Sequence, residues 1–179
     1  MTLFTATLLS ALLLLLIGGV LIWNGEKVSA IARELPRSRR FTVLVFGLGA
    51  VWFLWKVSNL GEADFGNYRT LLLIAFAAIA LLSYFFVPDF LAVRGACVVA
   101  LLASGELLDA AFSLYETPAR LFLVVFAYLL ICLSMYLAVV PYRVRDFFQW
   151  LFQSSGRPRL LGGLVLFYGL ILSIAAFTY

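Results

Sequence analysis

Lys56, Glu106 and Asp109 are the residues whose types and spacing could support chemistry, because each is an ionisable group inside an otherwise apolar run. A charge at bilayer depth costs at least about 2.5–3.5 kcal/mol on insertion scales, so such groups face protein or water and carry partners. Glu106 and Asp109 are three residues apart and share a helix face. Lys56 is fifteen residues past Phe41 and Asp109 fourteen past Gly95, the starts of their apolar runs, which predicts nearly equal depth. A Lys56 ammonium set between the two carboxylates would offset part of the cost and form a polar site for a proton, a cation or a polar head group. The same residues also fit a helix-packing ion pair, or Lys56 and Asp109 snorkelling to the nearer surface. Glu106 is the hardest to bring to water, lying about 16 Å into its run at ~1.5 Å per residue.

Beyond this trio the chemical inventory is short. There is no histidine, which removes the commonest general base and metal or haem ligand. Cys97 and Cys132 lie at different depths of their runs, so neither a disulfide nor a metal pair is expected; both read as small buried hydrophobes. Gly47-Leu48-Gly49 and Gly162-Gly163 fall inside apolar runs and lack the Lys-Ser/Thr of a phosphate loop. Such glycines, like the Ala96, Ala100, Ser104 ladder, let helices approach closely. No catalytic set, cofactor site or metal site is therefore expected.

The elements that must position these residues follow from hydropathy. The chain is 65% hydrophobic, far above the roughly 45–50% of soluble domains, and its 179 residues leave little outside six apolar runs. The expected architecture is an all-α integral membrane protein, one polytopic domain over 1–179, with spans at Leu3–Trp23, Phe41–Leu60, Leu71–Val87, Gly95–Leu114, Leu121–Val140 and Leu160–Phe177. Continuous apolar runs, without period-two alternation, point to helices and not to a barrel. Pro88 and Pro141 are expected to stop the third and fifth. Leu3–Trp23 is too long for the apolar region of a secretory signal and has no positive charge before it, so it too reads as a span.

Direction follows from charge. Ten of the 13 Lys and Arg residues lie in the segments Asn24–Arg40, Pro88–Arg94 and Pro141–Arg159; Gly61–Thr70 and Tyr115–Arg120 hold Arg69 and Arg120. Short basic loops stay in the cytoplasm, so both termini are expected outside, in a cell membrane such as a bacterial inner membrane. The net charge of +4 is then topogenic and says nothing of nucleic acid.

The first and last basic segments look alike. Val28, Ile31, Ala32 and Leu35 recur at helical spacing before Pro36 and Arg37-Ser38-Arg39-Arg40. Val144, Phe147, Phe148, Leu151 and Phe152 do the same before Gly156 and Arg157-Pro158-Arg159. A cytoplasmic interfacial helix is expected at Arg143–Gln153, carrying Phe147, Phe148, Trp150, Leu151 and Phe152 into the membrane surface. The resemblance, with a compressed version at Pro88–Arg94, suggests repeated two-helix hairpins. Short amphipathic linkers would also produce it.

Three function classes remain open. The leading expectation is a non-enzymatic integral membrane subunit whose partners are membrane lipids and other membrane subunits or itself, with no nucleic acid. The alternative is a small oligomeric transporter or channel using Lys56, Glu106 and Asp109. Last comes an intramembrane enzyme acting on lipids, with Glu106 and Asp109 as acid and base.

Overall fold

The computed structural model describes residues 1–23, 25–34, 38–86 and 90–179, and of 25–27, 31 and 33 the backbone alone. Its regular structure is entirely helical among these residues: α1 (Leu3–Trp23), α2 (Gly25–Glu34), α3 (Arg39–Ser58), α4 (Arg69–Phe86), α5 (Leu91–Ala111), α6 (Arg120–Val139), α7 (Tyr142–Leu151) and α8 (Gly156–Ala176). Two 3-10 turns, Glu62–Asp64 and Gly66–Tyr68, lead into α4. Six helices are long and apolar enough to cross a membrane, with mean hydropathy between 1.7 and 2.6, which is compatible with a multi-pass membrane protein.

Several boundaries differ from those hydropathy predicts. Helix α3 begins at Arg39, not Phe41, because Ser38 caps it: the Ser38 hydroxyl accepts the Phe41 N–H at 3.4 Å. Helix α5 begins at Leu91, four residues before Gly95, and ends at Ala111. Arg94 is polar enough to end a hydropathy window, yet its backbone continues a helix without difficulty. Helix α8 begins at Gly156, so Arg157-Pro158-Arg159 forms its first turn and is not a break before it. Proline is tolerated there because first-turn N–H groups have no intrahelical partner. Pro36 and Pro88 lie outside the described residues.

Small residues set how the helices pack. Helices α1 and α8 form the most extensive pair and run antiparallel, with Phe4 and Phe177 edge-to-face at 5.9 Å and the Thr7 hydroxyl donating to Tyr179 Oη at 3.2 Å. A Cβ on Gly18 would fall 2.7 Å from Leu166 Cγ and 2.8 Å from the Gly162 carbonyl oxygen, so the contact requires glycine. Helix α5 is central, flanked by α3 and α6. Its Gly95 lies against the α3 backbone, where an added Cβ would meet Phe46 Cα at 2.7 Å. Gly49 packs against Val98 and Val99, whereas Gly47 and Gly163 face open space.

Leu3 and Ala6 of α1, Leu107, Ala110 and Ala111 of α5, and Leu123 and Ala127 of α6 make one buried cluster. Both chain termini therefore lie at the end where α5 stops and α6 starts. Arg120 closes that end by donating from Nη1 to the Ala111 carbonyl at 2.9 Å, satisfying an acceptor that the end of α5 leaves free. At the opposite end α2 and α7 touch. The order long helix, ten-residue helix, long helix thus occurs in α1–α2–α3 and in α6–α7–α8. Their packing differs: α1 rests on α8 and α6 on α5. Helix α4 stands apart, leaning on α3 with none of its residues buried.

Candidate functional site

The glycine contacts between α3 and α5 fix the register that brings the charges together. Phe46 lies opposite Gly95 and Gly49 opposite Val98. Both helices run the same way with the same rise, so the same offset carries Lys56 level with Gly105, next to Glu106. The Lys56 ammonium and the Glu106 carboxylate form a salt bridge, with the side chains 42% and 32% exposed. Adjacency of α3 and α5 and contact of Lys56 with a carboxylate agree with expectation. The partner differs from the depth match, since Asp109 lies about one turn further on, is exposed, and makes no salt bridge among the described residues. Counting from the start of each apolar run set Gly95 level with Phe41, whereas the helix contact sets it level with Phe46, more than a turn further along α3.

Lys56 also occupies the last turn of α3, where a cation meets the negative end of the helix dipole. Its own carbonyl accepts the Asn59 N–H at 3.1 Å. The site therefore holds one cation and two carboxylates on the side where α3 and α5 meet. No group of three or more metal-ligating side chains occurs among the described residues.

Helix α7 forms as expected, but its aromatics divide between two faces. Leu151 is buried, and Phe148 and Phe152 are half-buried. With Val144, Phe148 lines a cavity of about 300 Å³ walled by Ala96, Ala100, Leu133 and Ser134. Phe147 and Trp150, expected with the others at the membrane surface, are exposed, their ring centroids 6.1 Å apart. Arg157 places its guanidinium 4.8 Å above the Trp150 ring and donates to the Trp150 carbonyl at 2.7 Å. Arg145 and Asp146 pair at 2.9 Å in the exposed polar sector.

One feature of α6 escaped the sequence reading. Tyr128, Cys132, Met135 and Tyr136, at i, i+4, i+7 and i+8, are all exposed along one stripe of the helix. Cys132 is therefore not a buried hydrophobe, whereas Cys97 is, and both thiols are free. Tyr128 lies about 12 Å from the start of α6 at ~1.5 Å per residue, near its middle. Tyr168 and Tyr179 find carbonyl acceptors, Phe122 at 2.9 Å and Ala119 at 3.4 Å. The Tyr128 and Tyr136 hydroxyls have no partner among the described residues. The spacing was present in the sequence, but aromatic and sulfur residues at helical intervals are as common in cores as on docking faces.

Comparison with known protein families, with curated proteins and with solved structures finds no match.

Proposed function

We propose that this chain is a non-enzymatic integral membrane subunit that packs through the outer face of α6 against another subunit or a second copy of itself. The observation that carries this reading is the exposed Tyr128 hydroxyl near mid-span. In hydrocarbon an unsatisfied hydroxyl costs about 1–3 kcal/mol by protein-based scales, and tyrosine normally finds an acceptor when desolvated. A neighbouring helix offering a polar group would supply one, and helix association in membranes uses such bonds. Cys132, Met135 and Tyr136 extend the stripe with polarisable side chains suited to an adaptable contact.

The bundle spans a cell membrane with both termini outside, and α2 and α7 lie at the cytoplasmic surface. The charge distribution supports this orientation. The shared order of α1–α2–α3 and α6–α7–α8 is in keeping with repeated hairpins. A transporter would draw on Lys56, Glu106 and Asp109, but the cavity beside that trio is lined almost wholly by apolar side chains, so the subunit reading is preferred.

The test is a photocrosslinker, p-benzoylphenylalanine, in place of Tyr128, irradiated in native membranes. The expected product is a discrete polypeptide adduct, lost when the crosslinker is moved to Leu82 on α4. An adduct of twice the chain's mass identifies a second copy. Crosslinks to lipid alone would overturn the proposal.

A further inference from the structure

Helix α4 leans on α3 and leaves a groove of about 440 Å³ between itself, α3 and α5, lined by Phe46, Phe53, Phe76, Ala80, Leu101 and Leu102 among others. The lining has a direction. Along α3 it runs from Phe46 to Phe53; Val57 continues that face, and Lys56, seven residues past Gly49, flanks its end on the side turned to α5. Along α5 it runs from Gly95 to Leu102, and Glu106 and Asp109 follow one and two turns on. An apolar trough thus ends at a charged rim, where Lys56 pairs with Glu106 and Asp109 is exposed without a salt bridge among the described residues.

The dimensions suit one acyl chain. Phe46 and Lys56 are about 15 Å apart along α3, half of a ~30 Å hydrocarbon core and so the depth of one leaflet. A partner helix, about 10–12 Å across with its side chains, would need far more room over that length.

We propose that this groove binds one phospholipid from the leaflet at the chain-termini end, with a head group that carries both a phosphate and a primary ammonium. One acyl chain lies between α4 and α5, the phosphate meets Lys56, and the ammonium meets Asp109. The charges select this class. A purely anionic head group would satisfy Lys56 but be repelled by two carboxylates. A quaternary ammonium has no N–H to donate to Asp109. A primary ammonium does, and charge-assisted hydrogen bonds in a poorly hydrated site are the strong ones.

The test uses the full chain in mild detergent, delipidated and exposed to phosphatidylethanolamine, phosphatidylglycerol or phosphatidylcholine with identical acyl chains. Retained lipid is read by native mass spectrometry. Phosphatidylethanolamine should be favoured by about tenfold, the worth of one such hydrogen bond. Asp109→Asn, at an exposed position, should remove the preference over phosphatidylcholine. Ala80→Trp, which fills the groove, should lower retention of all three lipids, with melting temperature recorded alongside. Equal retention of the three lipids by the wild type would overturn the proposal, as would an intact preference in Asp109→Asn. So would undiminished retention in an Ala80→Trp protein that melts like wild type.

Discussion

Gly95→Ala is the sharpest probe of the helix contact that sets the charge pair. The added Cβ would lie 2.7 Å from Phe46 Cα, 2.9 Å from Phe46 N and 3.0 Å from Phe46 Cβ, so it meets chiefly the α3 backbone, which has no rotamer to change. Ordinary contact begins near 3.4 Å, so α3 and α5 must part by about 0.7 Å at this point. Overpacking of this kind costs about 1–3 kcal/mol, less roughly 1 kcal/mol regained because alanine is the better helix former. The same pair of helices supplies controls. Gly105 has nothing within 4 Å of its would-be Cβ, so Gly105→Ala should stabilise by up to about 1 kcal/mol. Gly49, with its nearest atom, Val99 Cγ2, at 3.3 Å and the Gly95 carbonyl oxygen and Val98 Cγ1 at 3.4 Å, should fall between them. Equilibrium unfolding in a constant mixed detergent, followed by helical circular dichroism, would rank the three. Equal stability of Gly95→Ala and Gly105→Ala would refute the reasoning, because it would mean that α3 does not approach α5 at this glycine.

Four further outcomes are expected. Lys56→Met or Glu106→Leu alone should cost about 1–3 kcal/mol, since each strands a charge whose exposure is only partial, whereas the double variant should recover most of that loss in the same unfolding assay. Arg120→Ala removes the 2.9 Å bond to the Ala111 carbonyl and the stacking on Tyr115 at 4.9 Å, and should lower stability by about 1–2 kcal/mol. Reporter fusions at Ser38 and Ser155 should both behave as cytoplasmic; a periplasmic signal at either would contradict the proposed orientation. Spin labels at Phe148 and Gln149 should differ, the first immobilised over the cavity beneath α7 and the second open to water.

The six long helices were legible because apolar length is a property of the chain taken one segment at a time. The amphipathic stretch that became α7 was legible for the same reason, since Val144, Phe148 and Leu151 recur at the helical period whatever they pack against. Relations between segments were harder to read. The register of α3 on α5 depends on Gly95 meeting Phe46, and no pattern within either helix says which of Gly47, Gly49 or Gly95 is at the contact. That register determines that Lys56 meets Glu106 and not Asp109. Facing is equally a relation between segments. Phe147 and Phe148 are both apolar and adjacent, yet one covers a cavity and the other lies outside it, because the position of α7 over α5 and α6 decides which sector is covered.

The same distinction explains why the exposed stripe on α6 matters more than its composition. In a membrane helix an apolar side chain is equally at ease against lipid or protein, so exposed leucines such as Leu129 and Leu133 do not report what lies beside them. A hydroxyl is different, because hydrocarbon offers it no acceptor. Tyr168 and Tyr179 are already held by carbonyls within the bundle. Tyr128 lies near the middle of α6 without one among the described residues. If its hydroxyl is met by a neighbouring chain, Tyr128→Phe should leave the isolated bundle's melting temperature unchanged and weaken the assembly, by about 1 kcal/mol for a hydrogen bond of this kind. Analytical ultracentrifugation in mild detergent reads the second effect and thermal unfolding the first. A variant that loses stability without any change in assembly would mean that the hydroxyl is satisfied within the bundle, and the α6 docking face would have to be abandoned.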